Sequence, residues 1–146
     1  MILNFQKLRS NAILPTRATA QSAGLDLYAC LPEPCKIPPH SFQMIPTGVA
    51  CEPSDLNVSL LIFARSGLAC KYGVALTNGV GVVDADYRGE ICVSLINQSD
   101  KEFIVTDGMR IAQLVTVPII YPETDSTNEL KETERGDGGF GSTGLN

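Results

Sequence analysis

The sequence has 146 residues, enough for one domain with a buried core, and its 44% hydrophobic and 18% charged residues are typical of globular rather than disordered chains. Its 11 Lys and Arg against 16 Asp and Glu give a net charge of -5, which excludes a broad electrostatic attraction to nucleic acid or to an anionic membrane. Any anionic ligand has to be bound locally, and we expect neither direct nucleic-acid binding nor membrane association.

The cysteine and histidine content indicates the cellular compartment and excludes several kinds of catalytic and metal site. The five cysteines form no CxxC pair, and an odd number cannot all close into intramolecular disulfides, which favours a reducing compartment. The N-terminus lacks a signal-peptide pattern, and no apolar run approaches the ~20 residues needed to span a bilayer. We therefore predict a soluble intracellular protein, in the cytoplasm, or in the nucleus if the source is eukaryotic or viral. His40 is the only histidine, which excludes triads built with another histidine, HExxH zinc sites and His-rich metal clusters. Its local sequence predicts a solvated turn, with a catalytic role as the alternative.

The first half of the chain alternates short apolar segments with Gly, Pro, Asn and Asp, a pattern typical of all-β proteins. Residues 24–29 alternate with period two and predict a half-buried strand, whereas the continuous apolar run 58–64 predicts a strand buried on both faces. Residues 66–72 are the best candidate for a short helix, with Ser66 as its N-cap and Gly73 at its end.

Further along the chain, residues 90–95 and, in part, residues 101–105 alternate with period two and predict two more strands. We predict that residues 1–121 form a β sandwich or jelly roll of many short strands with at most one short helix. Residues 122–146 begin with an acidic stretch without apolar periodicity and end in a glycine-rich run. This composition predicts an acidic connector followed by a flexible C-terminal arm.

One candidate anion site lies where the buried strand passes into the predicted helix. There, the Arg65 guanidinium, the Ser66 hydroxyl and main-chain N–H groups are placed to hold a phosphate together. The alternative is structural, with Ser66 capping the helix and Arg65 pairing with a surface carboxylate. The residues alone leave both interpretations open.

The glycine-rich C-terminal run is a second candidate for anion binding, with a disordered tail as the alternative. Its glycines let main-chain N–H groups converge on an anion, and Arg135 can donate a bidentate pair of hydrogen bonds to a phosphate. Ser142 and Thr143 add hydroxyl donors, and Phe140 offers a ring for stacking. This combination indicates a binding loop rather than a plain spacer.

Residues 78–90 place three glycines, two aspartates and a tyrosine between apolar strands, which predicts a hairpin with irregular backbone. Gly81 permits close approach of a flat ligand to the main chain. Asp84 follows two valines, so its carboxylate is expected at the rim of an apolar pocket, where it can orient and deprotonate water. Asp84 is therefore the best general-base candidate.

Three further polar residues interrupt apolar strands. Asp26 needs a cation, a donor network or a metal shell nearby, because unpaired burial of a carboxylate is expensive. Gln113 is the polar group of its strand with the best prospect of facing a ligand, although a structural hydrogen bond is an equal alternative. For Asp86 we predict a structural role in an ion pair with Arg88 or Arg110.

Five segments in this order and wording resemble the five motifs of the trimeric deoxyuridine triphosphatase (dUTPase) family. They are AGLDL at 23–27, RSGLACK at 65–71, NGVGVVDADYRGE at 78–90, RIAQL at 110–114 and RGDGGFGSTG at 135–144. The resemblance implies a β jelly roll assembled as a homotrimer, with each active site built from all three subunits. The C-terminal arm then closes the active site of a neighbouring subunit.

The activity that the resemblance implies is hydrolysis of dUTP to dUMP and pyrophosphate by Mg²⁺-assisted water attack on the α-phosphate. This reaction limits uracil misincorporation into DNA and supplies dUMP for thymidylate synthesis. Asp84 corresponds by motif position to the family's water-activating aspartate, and Asp26 to an acid that contacts Mg²⁺ through water. The implied phosphate ligands are Arg65, Ser66, Gly67 and Gln113, with Arg135, Gly141, Ser142 and Thr143 from the closing arm.

The resemblance also implies how the nucleoside is recognised. Tyr87 matches the ring that stacks beneath deoxyribose and excludes a ribose 2′-hydroxyl, and Phe140 matches the aromatic residue of the arm that stacks on the base. The uracil hairpin corresponds to Asn78, Gly81, Val82 and Val83, with Cys92 facing it from the returning strand.

Two other interpretations compete with this one. A dCTP deaminase of the same fold would need a pocket that accepts the N4 amine of cytosine, and the intact motif wording at 78–90 and 135–144 argues against it. A non-enzymatic regulatory or scaffold trimer would need neither Asp84 nor the complete arm.

Overall fold

The structure, a computed structural model, describes residues 1–139. Within this range the chain forms strands joined by short connections and one short helix, so the all-β prediction is confirmed. The strands are β1 (Leu3–Lys7), β2 (Leu25–Tyr28), β3 (Cys35–Ile37), β4 (Phe42–Pro46), β5 (Val49–Pro53), β6 (Val58–Ala64), β7 (Val74–Leu76), β8 (Val80–Asp84), β9 (Cys92–Asn97), β10 (Phe103–Val105) and β11 (Arg110–Pro118), and the helix is α1 (Ser66–Tyr72).

Four antiparallel sheets make up the jelly roll. The largest has the strand order β2-β11-β6-β8, a second has the order β4-β9-β7, and β1-β5 and β10-β3 form two-stranded pairs. Side chains from the sheets and from α1 meet in one main hydrophobic core, which includes Leu27, Ile45, Leu60, Leu95 and Ile111. No helix within residues 1–139 has the length and apolar character needed to cross a membrane.

The central strand β6 has the predicted bounds and organises the site. It pairs with β11 on one side and β8 on the other. Leu60 and Ile62 are buried on its core face, and Ser59 is buried on the other face, where Leu61 and Phe63 are half-buried. Both faces of β6 are therefore largely covered, as the continuous apolar run of residues 58–64 predicts.

Helix α1 also has the predicted bounds, but its N-cap is Arg65 and not Ser66. Arg65 has extended backbone angles (φ -87°, ψ 127°), and its carbonyl accepts the amides of Leu68 and Ala69. Ser66 is already the first helical residue, so its hydroxyl is one position too late to cap. The helix ends as predicted at Gly73, whose φ of 67° lies in the left-handed region that favours glycine.

The predicted hairpin over residues 78–90 is wrong. Although β8 follows β7 and precedes β9, it pairs with β6 in the four-stranded sheet, whereas β7 and β9 pair with each other in the three-stranded sheet. The chain therefore crosses between the sheets on both sides of β8, as successive strands of a jelly roll do.

The segment after β11 has no regular secondary structure as far as residue 139, and almost all of its side chains are exposed. Its start is held to the loop before β6, since the amide of Ile119 donates to the Asn57 carbonyl (2.9 Å) and the Tyr121 hydroxyl to the Leu56 carbonyl (2.7 Å). The division at residue 121 and the role of residues 122–146 as a closing arm stay predictions.

Candidate active site

Three adjacent strands and the start of α1 bring together the predicted phosphate ligands. Gln113 on β11 lies opposite Asp26 on β2 and opposite Phe63 on β6, and Arg65 follows the end of β6. Asp26, Arg65 and Gln113 line a cavity of about 190 Å³ that is open to solvent, whereas the predicted ligand Gly67 is not part of its lining. Its lining residues are Ala18, Ser22, Gly24, Asp26, Arg65, Ser66 and Gln113.

Two arginines form ion pairs with the Asp26 carboxylate. The Arg65 Nε lies 3.2 Å from one carboxylate oxygen, and the Arg110 Nη1 lies 3.2 Å from the other. The Asp26 side chain is only 12% exposed, so this pairing is what makes its charge tolerable at the cavity wall. Two guanidinium groups against one carboxylate leave a net positive charge at the cavity.

For Gln113 the structure shows the structural hydrogen bond that its sequence context allowed, and the role of facing a ligand stays a prediction. Its Nε2 donates a hydrogen bond to the Ala64 carbonyl at 3.0 Å, while the residue also lines the cavity. An added Cβ at Gly24 would lie 3.1 Å from the Gln113 Oε1, so glycine at position 24 allows the chain before β2 to approach Gln113 this closely without displacing it. The hydrogen bond fixes the amide at the cavity wall.

A second group of predicted residues lies on β8 and the turn before it. Val80, Val82 and Asp84 point outward and are exposed, Val82 by 65%. Gly81 faces β6, where an added Cβ would come within 3.1 Å of the Ile62 Cβ. The exposed Asn78 precedes β8 in the turn. The outward face of β8 therefore exposes two valine side chains and one carboxylate.

The carboxylate of Asp84 lies at the end of β8, beside a cavity of about 450 Å³ lined by Leu56, Asn57, Asp84, Ala85, Asp86 and Tyr121.

The expected ion pair of Asp86 with Arg88 or Arg110 is wrong. Arg88 pairs instead with Glu52 (3.2 Å), and Arg110 pairs with Asp26. Among residues 1–139 Asp86 has no ion-pair partner, which makes it a natural comparison residue for Asp84.

The two groups lie far apart in one chain. Asp84 is opposite Ser59 near the start of β6, whereas Arg65 follows the end of that strand. At 3.3 Å per residue, the six steps from Ser59 to Arg65 span about 20 Å. The Asp84 carboxylate is therefore outside the reach of a phosphate held at the Arg65 cavity of the same chain.

The remaining predicted residues are placed as follows. The Tyr87 ring is half-exposed, and its hydroxyl donates to the Glu90 carbonyl at 3.1 Å. Cys92 lies opposite Pro46 in the three-stranded sheet and is exposed, and partial burial of its thiol raises its pKa, so that the thiol stays protonated at neutral pH. The Arg135 Nε donates to the Gly138 carbonyl at 2.8 Å. The predicted ligands Phe140, Gly141, Ser142 and Thr143 lie outside the described residues.

Several residues of the candidate site were not predicted from the sequence. Ala18 and Ser22 line the cavity beside Arg65 from a loop without apolar pattern, so no periodicity marked them. Arg110 was predicted only as a partner for Asp86, because strict alternation from Gln113 places it on the face opposite Asp26. A register shift between Arg110 and Ala112, which the sequence does not reveal, accompanies its pairing with Asp26. No group of three or more His, Cys, Asp or Glu that could hold a metal occurs within residues 1–139.

Comparison with known proteins gives consistent matches over the whole fold. The dUTPase family model matches residues 10–144. The deoxyuridine 5'-triphosphate nucleotidohydrolase of Desulfitobacterium hafniense (strain DSM 10664 / DCB-2) is 53% identical over 132 residues, which cover 90% of this chain and 87% of the relative. That of Burkholderia multivorans is 45% identical, covering 93% and 92%. A mutant of the Staphylococcus bacteriophage 80alpha dUTPase, solved with dUpNHpp, superposes with a TM-score of 0.88 at 27% identity, covering 99% of each chain.

Proposed function

The chain belongs to the dUTPase family and hydrolyses dUTP to dUMP, and we propose that it does so in active sites shared between the three copies of a homotrimer. The reaction consumes one water molecule, whose oxygen bonds to the α-phosphorus while the bond from that phosphorus to the bridging oxygen breaks. Pyrophosphate leaves with the bridging oxygen. The predicted intracellular location agrees with a nucleotide substrate of this kind.

The observation that carries the shared-site proposal is the separation of Asp84 from the Arg65 cavity. A general base must come within hydrogen-bond reach, about 3 Å, of the water that it activates. The attacked phosphorus is part of the same triphosphate that the cavity holds, so a base about 20 Å away along β6 cannot serve it. The Asp84 of a neighbouring copy, on the exposed outward face of β8, is the group that we propose to complete the site.

In this proposal one copy supplies the phosphate-binding residues. Arg65 and Ser66 present a guanidinium and a hydroxyl to the cavity, which Gln113 also lines. The main-chain N–H of Gly67, the residue after Ser66, is the further donor in this proposal. The second guanidinium, Arg110, offsets the charge of Asp26 and so leaves Arg65 attractive to an anion. A chain with a net charge of -5 can then bind a highly charged anion because the positive charge is concentrated at one place.

A neighbouring copy supplies the nucleoside-binding residues and the base. Its Asp84 deprotonates the attacking water, and its Tyr87 ring stacks on the deoxyribose, where a ribose 2′-hydroxyl would collide with it. The main chain of Asn78, Gly81, Val82 and Val83 reads the edge of uracil, with Cys92 adjacent. The arm of a third copy closes the site with Arg135, Phe140, Gly141, Ser142 and Thr143.

The donor set of this chain fits Mg²⁺ only as a companion of the triphosphate. Mg²⁺ keeps several waters and binds through one or two carboxylates together with substrate phosphates, so no protein cage is required. Asp26 is the carboxylate at the cavity, and its two oxygens are engaged by arginines, which favours a contact through water. When bound, Mg²⁺ would neutralise charge on the phosphate oxygens of the leaving pyrophosphate.

The test is pyrophosphate release from dUTP, dTTP, dCTP and UTP, each with Mg²⁺, by the wild type, Asp84→Asn and Asp86→Asn. We expect release from dUTP alone, a loss of about 10²- to 10⁴-fold in kcat for Asp84→Asn, and wild-type rates for Asp86→Asn. Equal losses in both variants would remove the base assignment. Ammonia release from dCTP would favour a deaminase, and an intact trimer without any turnover would favour a scaffold.

A further inference from the structure

We propose that Arg88 is a positioning residue, which sets the Asp84 carboxylate and the Tyr87 ring through the main chain of the turn between them. The proposal rests on the roles given to Asp84 and Tyr87 above. It concerns a residue whose predicted role was an ion pair with Asp86, a pair that the structure does not contain.

The Arg88 guanidinium folds back over the turn that follows β8. Its Nη1 donates to the Ala85 carbonyl at 2.7 Å and to the Tyr87 carbonyl at 3.2 Å. Its Nη2 donates to the Glu52 carboxylate on β5 at 3.2 Å. The turn itself closes through the Tyr87 amide, which donates to the Asp84 carbonyl at 3.1 Å. One side chain therefore joins two main-chain carbonyls of the turn to a strand of another sheet.

The far end of the same turn is held independently. The Tyr87 hydroxyl donates to the Glu90 carbonyl at 3.1 Å, and the Glu90 carboxylate accepts the Gly48 amide (2.7 Å) and the Arg9 Nη2 (3.0 Å). This clamp fixes Glu90 but reaches Asp84 only through the turn. On its strand side Asp84 is held by the pairing with Ser59, whose hydroxyl donates to the Val83 carbonyl at 3.1 Å. On the turn side it is the Arg88 guanidinium that holds the next carbonyl, that of Ala85.

Arginine suits this position for a geometric reason. Its planar fork directs donors at carbonyls and at a carboxylate simultaneously, which a lysine ammonium on a flexible stem does less rigidly. The ion pair with Glu52 adds little stability, because the Arg88 and Glu52 side chains are 46% and 58% exposed. The guanidinium therefore contributes mainly orientation, and its loss should change catalysis more than folding.

The turn carries both proposed functional groups, so a looser turn has two separable effects. A displaced Asp84 carboxylate lowers kcat for dUTP, because general-base catalysis depends on reach to the attacking water. A displaced Tyr87 ring lowers discrimination against UTP, because the ring is the group that excludes the 2′-hydroxyl. A residue with a purely structural role would alter the melting temperature and leave the ratio of dUTP to UTP turnover unchanged.

The experiment compares Arg88→Met and Arg88→Lys with the wild type, with Tyr87→Ala as the reference for lost sugar selectivity. Lys36→Met serves as the matched control, since it removes a similarly exposed ion pair, with Glu102, on the β3-β10 sheet. The measurements are kcat and KM for dUTP and UTP, and the melting temperature. The wild type must first hydrolyse dUTP in preference to UTP. Failure at that step would reject the proposed function together with the role of Arg88 that rests on it, whereas the outcomes below concern Arg88 alone.

With that condition met, we expect Arg88→Met to lower both kcat for dUTP and the dUTP:UTP ratio of kcat/KM by about tenfold. Arg88→Lys should lower the same two quantities by about threefold, and Lys36→Met should change neither of them. Wild-type kcat and selectivity in a folded Arg88→Met, whatever its melting temperature, would overturn the proposal. If Arg88→Met does not fold, unchanged kcat and selectivity in Arg88→Lys would overturn it equally.

Discussion

Asp84 and Arg65 lie at opposite ends of strand β6, separated by about 20 Å along the strand. The cause is the register of the sheet, in which the last residue of β8 pairs with Ser59 while Arg65 begins beyond Ala64. A rigid central strand cannot bend to bring these two residues together. This separation is the reason for proposing that the two residues act together only across two copies of the chain.

This geometry predicts complementation between two inactive variants. Asp84→Asn retains Arg65, and Arg65→Met retains Asp84, so a site between two different copies can combine both intact groups. After unfolding and refolding of the two variants together in equal amounts, about a quarter of the sites should regain wild-type composition. The measurement is pyrophosphate release from dUTP by the refolded mixture, compared with each variant refolded alone.

The control is the double variant Asp84→Asn with Arg65→Met, which should give no recovery when refolded with either single variant. If the mixed single variants form trimers and remain as inactive as each alone, the base and the phosphate cavity belong to one chain. The shared-site proposal would then be rejected, whatever the activity of the wild type.

The pairing of Asp26 with two arginines predicts a distinct effect of removing its charge. In Asp26→Asn the guanidinium groups of Arg65 and Arg110 lose their common counter-charge and repel each other. We expect a loss of about 1–3 kcal/mol in the free energy of unfolding. We also expect a higher KM for dUTP, because Arg65 loses its orientation. Urea unfolding and initial rates measure the two effects.

The matched control is Glu102→Gln, which removes the more exposed ion pair with Lys36. That change should leave both the free energy of unfolding and KM close to their wild-type values. Equal destabilisation by Asp26→Asn and Glu102→Gln would mean that the Asp26 cluster has no special role.

Much of the fold was predictable because its signals are local. The bounds of β6 and α1 follow from a continuous apolar run and from a glycine in the left-handed region after the helix. The partner of β8 was not predictable, because period-two alternation tells which face of a strand is buried but not which strand lies beside it. That is why residues 78–90 looked like a hairpin.

In the candidate site, too, some features could be predicted from the sequence and others could not. The chemistry of Arg65, Ser66, Gln113 and Asp84 is readable from residue type and from motif wording. The partners of Asp26, Arg88 and Glu90 are not, because these contacts join residues that are far apart in the chain. Sheet register and side-chain length determine which guanidinium meets which carboxylate, and neither quantity is encoded in a short sequence window.

The C-terminal segment predicts a separation of activity from stability. Residues 122–134 are exposed and form no strand or helix, so we expect residues 135–146 to add little to the stability of the fold. Deletion of residues 135–146 should leave the melting temperature and the trimer unchanged while removing most of the dUTPase activity. Differential scanning calorimetry, sedimentation and pyrophosphate release test this together.

A shorter deletion, of residues 145–146 alone, is the matched control, because it leaves the complete motif at 135–144 in place. It should retain wild-type activity. Full activity after the longer deletion would contradict the role of the arm in closing the site.

Cys51 predicts a loss of stability at alkaline pH. Burial raises the pKa of its thiol from 9.0 to about 11, in spite of the opposing influence of Arg88. The folded state thus favours the neutral thiol, whereas the unfolded chain ionises it near pH 9. Its contribution is therefore fully present below pH 9 and is lost as the pH rises from 9 to about 11.

The expected observable is a difference between two proteins, which cancels the titration of other groups. The free energy of unfolding of the wild type relative to Cys51→Ala should fall by about 1–3 kcal/mol between pH 8 and pH 11, measured in urea at one protein concentration. Cys70→Ala, which replaces an exposed cysteine on α1, is measured alongside as the comparison variant. A constant offset for Cys51→Ala would show that the Cys51 thiol ionises equally in the folded and unfolded states, and the burial argument would fail.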